Sequence, residues 1–97
     1  MNFQKNEYKG YKNKEKYKRK LTFLKQYGNS KERTVQFRDE NGTILTWNTS
    51  DNSKTFKNLK YKGYYSFKVS AILNNIDESK IKIVINYVKE SLNKEVF

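Results

Sequence analysis

Residues 34–50, TVQFRDENGTILTWNTS, constrain the fold more than any other part of this chain. Val35 and Phe37 alternate with Thr34, Gln36 and Arg38. After Asp39-Glu40-Asn41-Gly42 the alternation returns, with Leu45 and Trp47 set against Ile44, Thr46 and Asn48. A period of two over β-branched and aromatic residues is the mark of strands, and Asn-Gly between them marks a tight reversal. The register follows from the faces. A two-residue loop of Asn41 and Gly42 sets Phe37 opposite Thr46. A three-residue loop of Glu40, Asn41 and Gly42, with Gly42 left-handed at a bulge, sets Phe37 opposite Leu45 and Val35 opposite Trp47. Only the second gathers all four apolar side chains on one face, so it is the register expected.

The rest of the chain supplies partners for this hairpin. Residues 21–27 (LTFLKQY) read as a preceding strand and residues 28–32 as its loop. Residues 51–53 are turn material, with Ser53 or Asp51 able to cap one helical turn over 55–59. In residues 64–73, Tyr65, Phe67, Val69, Ala71 and Leu73 alternate with Tyr64, Ser66, Lys68, Ser70 and Ile72. A loop over 74–79 leads to a last strand over 80–88, with Ile81, Ile83, Ile85 and Tyr87 on one face. Five short antiparallel strands in one domain point to a small closed barrel, and closure removes the exposed edges such apolar strands would offer. The expected fold is all-β: a five-stranded antiparallel barrel over 21–88, with a helical turn between its third and fourth strands and a short tail over 89–97.

Residues 1–20 differ in character. They hold eight basic and two acidic residues, with Phe3, Tyr8, Tyr11 and Tyr17 spread among them. They read as a basic N-terminal arm that gains order on a phosphate backbone. Its end is open to two forms, a disordered one and a short helix over 13–24, in which Tyr17, Leu21 and Leu24 share a face.

Charge narrows the function. The 97 residues include 21 basic and 10 acidic side chains, a formal net charge of +11. So basic a domain suits a polyanion, nucleic acid before an anionic membrane surface. Cysteine and histidine are absent. That removes thiolate metal sites, disulfides, the usual general base and every histidine-dependent triad. No paired-carboxylate, phosphate-loop or metal-ligand spacing occurs, so neither an enzyme nor a cofactor is expected. No apolar run approaches a membrane span, and the first residues lack the apolar core of a signal peptide, so a cytoplasmic protein without a membrane partner is expected.

Phe37-Arg38-Asp39-Glu40-Asn41-Gly42, Leu45-Thr46-Trp47-Asn48-Thr49-Ser50 and Lys62-Gly63-Tyr64-Tyr65-Ser66-Phe67-Lys68-Val69 carry a likeness. Together they resemble small oligonucleotide-binding (OB) fold proteins, the single-stranded DNA-binding proteins of phages and mobile elements of low-GC Gram-positive bacteria. The likeness covers residues 21–88. It implies an OB barrel that binds single-stranded DNA with little sequence preference during replication or recombination of such an element. Two other roles stay open. One is an accessory subunit that holds template for a primase or polymerase partner, and the other is an RNA-binding, cold-shock-like barrel.

In OB folds the ligand lies across the second and third strands. With Val35, Phe37, Leu45 and Trp47 inward, the outer face presents Gln36, Arg38, Thr46 and Asn48 for phosphate and base edges. Trp47 shares the parity of the core, which favours burial, although a place at the barrel mouth would let it stack on a base. Tyr27, Tyr61, Tyr64 and Tyr87 are further stacking candidates, Tyr64 foremost because it opposes the core parity of its strand. Lys54, Lys57, Lys60 and Lys62, with Lys31, Arg33 and the arm residues Lys18, Arg19 and Lys20, are expected to line a backbone-tracking groove.

Overall fold

The computed structural model describes residues 2–4, 6–75 and 81–91. Its strands are β1 (Asn2–Gln4), β2 (Glu7–Tyr8), β3 (Tyr11–Lys12), β4 (Lys16–Gly28), β5 (Arg33–Arg38), β6 (Ile44–Thr49), β7 (Lys62–Asn75) and β8 (Ile81–Ser91). A single turn of helix, α1 (Lys54–Lys57), lies between β6 and β7. Most of the loop expected over 74–79 and of the tail expected over 89–97 lies outside the described residues.

The β5–β6 hairpin has the register its faces demand. Val35 pairs with Trp47, Phe37 with Leu45 and Arg38 with Ile44. The Gly42 N–H donates to Asp39 O (3.1 Å), the Asp39 N–H donates to Thr43 O (3.0 Å), and Gly42 has φ +86. This is a three-residue loop closed by a left-handed glycine. Val35, Phe37 and Leu45 are fully buried and Trp47 is 4 % exposed. Phe37 and Trp47 stack with centroids 6.3 Å apart. Burying each of these side chains is worth about 1.5–3 kcal/mol, which makes the hairpin the floor of the core.

Among the described residues, β4, β5, β6, β8 and β7 close a five-stranded barrel, broadly OB-like, with β7 returning to pair with β4. It is mixed, not wholly antiparallel as expected: β6 and β8 run parallel. One strand separates them in sequence, so each reverses direction relative to β7. Closure then brings together two strands that run the same way. The helical turn covers 54–57 where 55–59 was expected, and of the two candidate caps it is Ser53 that serves, its Oγ accepting from the Phe56 N–H (3.2 Å). Thr55 Oγ1 donates to Val88 O (2.9 Å), fixing α1 against β8.

The described residues of 1–20 are paired strands and turns, not an arm. Residues 16–20, expected as part of the arm or of a helix, are the first part of β4, paired with β7 from Lys16↔Lys68 to Lys20↔Tyr64. Helical and strand spacing both place Tyr17 and Leu21 together, and the long-range ladder with β7 decides for strand. The β2–β3 hairpin folds back so that Tyr11 is 2 % exposed within the core, edge-on to Tyr17 at 5.0 Å. The Lys14 N–H donates to Val69 O (2.8 Å) and the Val69 N–H to Glu15 O (2.9 Å), extending the pairing beyond Lys16.

Bulges correct two further expectations. Between Val69 and Ala71 the β7–β8 register shifts. The core parity passes there from odd to even residues, so Ile72, expected outside, is fully buried while Ala71 and Leu73 are only half-buried. On β8, Lys68 pairs with Asn86 but Ser66 pairs with Lys89, so Phe67 faces both Tyr87 and Val88. Val88 takes the core position at 5 % exposure, and Tyr87, expected beside Ile83 and Ile85, is 73 % exposed with φ +54. A bulky residue in that left-handed region costs about 1–3 kcal/mol. A third bulge, between Phe23 and Lys25, turns Leu24 outward. Bulges are a usual means of bending strands around a barrel this small. No helix among the described residues is long and apolar enough to cross a membrane.

Candidate nucleic-acid interface

Strand β4 is the spine of the basic outer surface. Lys16, Lys18, Lys20 and Thr22 alternate with Tyr17 and Leu21, which face the core side, and after the bulge Lys25 and Tyr27 continue the outer face. Directly paired residues share a face, so the ladders define rows. Lys62, Thr22, Arg38 and Ile44 form one row; Lys25, Gln36 and Thr46 a second; Tyr27, Thr34 and Asn48 a third.

The first row carries the strongest positive charge near the hairpin. Lys20, Thr22, Arg38 and Lys62, with Asp39 and Glu40 at one end, line a shallow groove of about 290 Å³. Arg38 and Lys62 are exposed, and neither takes part in the ion pairs found among the described residues. Lys20 Nζ lies 5.9 Å from the Tyr64 ring centre and Lys25 Nζ 5.8 Å from that of Tyr27. Cation and aromatic ring thus lie together at the surface, an arrangement compatible with nucleic-acid binding in general. Tyr27 is 48 % exposed and Tyr64 half-buried.

The neighbouring rows add hydrogen-bonding groups. Gln36 is half-buried and Asn48 exposed; Thr34 Oγ1 donates to Asn48 Oδ1 (3.2 Å), which orients the Asn48 amide. Thr46 does not join them. Its parity is that of the outer face, but it is 2 % exposed, because β8 flanks it and pairs Val84 beside it. Trp47 is a core residue, not a surface stacker.

The basic residues expected to line one groove are divided. Arg33 is committed to Asp51: its Nε donates to Asp51 Oδ1 at 2.7 Å, and its guanidinium lies over the Phe56 ring. The hydrogen bond holds the Arg33 pKa above its ordinary value and the Asp51 pKa below its own. Lys60 is paired with Glu90 at 2.5 Å, which raises its pKa in the same way. Arg19 lies on the opposite face from Lys18 and Lys20, its guanidinium 4.9 Å from the Tyr17 ring centre. Lys54 and Lys57 are exposed on α1, and Lys31 is exposed in the β4–β5 loop. Lys20, Arg38 and Lys62 therefore form the connected set on this face.

Sequence reasoning missed Lys16, Lys25, Lys68 and Lys89 as outer-face cations. The signal was the alternation in Lys16-Tyr17-Lys18-Arg19-Lys20-Leu21, which a helical reading of 13–24 conceals. Both Asp39 carboxylate oxygens are occupied within the fold, as are those of Asp51. Among the described residues no group of three or more acidic side chains is placed to hold a metal ion. The architecture is that of an OB-like basic β-barrel compatible with nucleic-acid binding. No protein-family model, curated protein or solved structure matches this chain.

Proposed function

We propose that this protein binds single-stranded DNA with little sequence preference, across the outer face of β4, β5 and β7. The observation that carries this reading is the row Lys62–Thr22–Arg38 beside the Lys20–Tyr64 pair. Cations there are set for phosphates and an aromatic face lies within reach of a base. The side chains nearby, Gln36, Thr34 and Asn48, are hydrogen-bonding groups that any base can use, which suits a sequence-tolerant binder. The resemblance of the hairpin and of residues 62–69 to phage and mobile-element single-strand binders supports a place in replication or recombination of such an element.

A groove of about 420 Å³ lined by Phe23, Phe56, Leu59 and Tyr61 together with Gln26, Lys57 and Lys60, with Tyr61 70 % exposed, favours a second reading. In it the barrel is an accessory subunit docked on a replication enzyme. Binding of the free chain to single- and double-stranded oligonucleotides separates the two. Tight single-strand binding in moderate salt supports the first; weak binding rescued by a partner enzyme supports the second. Competition between matched DNA and RNA strands tests the choice of DNA, since contacts to the 2′-hydroxyl distinguish them.

A further inference from the structure

The side of the barrel formed by β4, β7 and β8 carries a second basic groove, about 620 Å³ in volume and lined by Lys16, Lys18, Ser66, Lys68, Tyr87 and Lys89 among others, with no acidic side chain. Lys16 lies directly opposite Lys68, and Lys18, Ser66 and Lys89 form the next row. Like charges directly opposite one another repel. The ion pairs among the described residues, Arg33–Asp51 and Lys60–Glu90, do not include these four lysines. Positive charge is therefore concentrated here, with no ion pair to these lysines among the described residues.

Tyr87 stands over this groove through the β8 bulge. Its left-handed backbone places Val88 in the core and leaves the Tyr87 ring 73 % exposed. Next to this bulge, Asn86 Oδ1 is buried without a hydrogen-bond partner. Two unfavourable features thus coincide where an aromatic ring is turned out beside lysines. Along β4, alternate residues lie about 6.6 Å apart. That spacing is comparable to the step between phosphates of an extended strand, and Lys16 and Lys18 lead directly to Lys20.

We infer that this groove is a second nucleic-acid subsite, in which Lys16, Lys18, Lys68 and Lys89 hold strand phosphates and Tyr87 stacks a base. The inference rests on the proposed single-strand binding and extends it: a strand leaving the Lys20–Arg38–Lys62 face follows β4 around the barrel. A concave groove with one ring at its rim favours a strand over a lipid surface.

The test is photocrosslinking of the full chain to iodouracil-substituted oligothymidine of about 20 nucleotides, longer than the ~4–16 that one OB barrel occupies. Adducts are mapped by mass spectrometry. Binding of Tyr87→Gly, which suits the left-handed backbone, and of Lys18→Gln/Lys89→Gln is measured alongside. Adducts at Tyr87 as well as on the first face are expected, and each variant should weaken binding of the long strand roughly fivefold or more. The double lysine variant changes only exposed side chains and keeps the test decisive should Tyr87→Gly not fold. Adducts on the first face alone, with both variants binding as wild type, would overturn the second subsite and leave the proposed function standing. No binding by the wild-type chain would overturn both. Loss of binding to anionic phospholipid vesicles in the variants, with oligonucleotide binding unchanged, would overturn it in favour of a membrane surface.

Discussion

The Tyr11 hydroxyl donates a 2.6 Å hydrogen bond to Asp39 Oδ2, joining the N-terminal hairpin to the β5–β6 loop across 28 residues of chain. The other carboxylate oxygen accepts from the Asn41 N–H (2.9 Å) and the Thr43 N–H (2.8 Å). One acidic side chain thus shapes the loop and anchors residues that sequence reasoning assigned to an arm. Burial, first, and the bond to Asp39, second, push the Tyr11 pKa well above its ordinary value.

Tyr11→Phe keeps the ring and removes the bond, so it should cost about 1.5–3 kcal/mol in denaturant unfolding, as expected for a hydrogen bond to a charged group. The pH dependence has a definite sign. The folded pKa lies above the unfolded value of about 10, so the stabilisation is complete below pH 10 and is lost as pH rises through the folded pKa. Wild type should lose stability faster than Tyr11→Phe when melting is followed upward from pH 10. Parallel curves would show that Tyr11 ionises as freely in the fold as out of it.

Two loop glycines should differ in their tolerance. Gly42 has φ +86 with open space around a Cβ, so Gly42→Ala should cost only the left-handed backbone penalty, about 1–2 kcal/mol. Gly28 has φ +105, and a Cβ there would collide with Glu32 O. Gly28→Ala should therefore lower the melting temperature distinctly more than Gly42→Ala.

Trp47 should report on the core and not on the ligand. Its emission should be blue-shifted in the free protein and change little when oligonucleotide saturates the chain, since its ring packs on Phe37 at 4 % exposure. Strong quenching at saturation would place a base on the indole. Thr46→Val should likewise leave affinity within about twofold of wild type, because Thr46 is buried.

Arg33 and Arg38 should behave differently despite being near neighbours in sequence. Arg33 is held by Asp51, whereas Arg38 is exposed on the row with Lys62. Arg38→Gln should weaken oligonucleotide binding at low salt by several-fold, and Arg33→Gln should act mainly on stability. Equal losses of affinity would mean that the Arg33–Asp51 pair opens on binding.

The hairpin was legible because strand period, turn chemistry and burial all demanded one register, and residues 53–57 because a serine cap precedes the helical turn. Phe37, Asp39 and Gly42, central to the resemblance, each serve the barrel itself, through core packing, loop closure and positive φ respectively. The start of β4 was obscured because Tyr17, Leu21 and Leu24 fit helical spacing as well as strand parity fits Tyr17 and Leu21. The bulges at Ser70 and Tyr87 were not legible, since an extra residue in a strand leaves no mark in composition, yet each reverses the faces beyond it. That is why Ile72 and Tyr87 changed sides. The division of the lysines also required the fold, because only pairing shows that Lys60 meets Glu90 while Lys62 meets Thr22.

The central claim, that phosphates are held along β4 and the row through Arg38, is tested most directly by the salt dependence of single-strand binding. Neutralising about six phosphates predicts a slope of log affinity against log salt near −4, and Lys20→Gln/Arg38→Gln/Lys62→Gln should reduce its magnitude by about 2. A nearly flat response in the wild-type chain, or an unchanged slope in the triple variant, would contradict it.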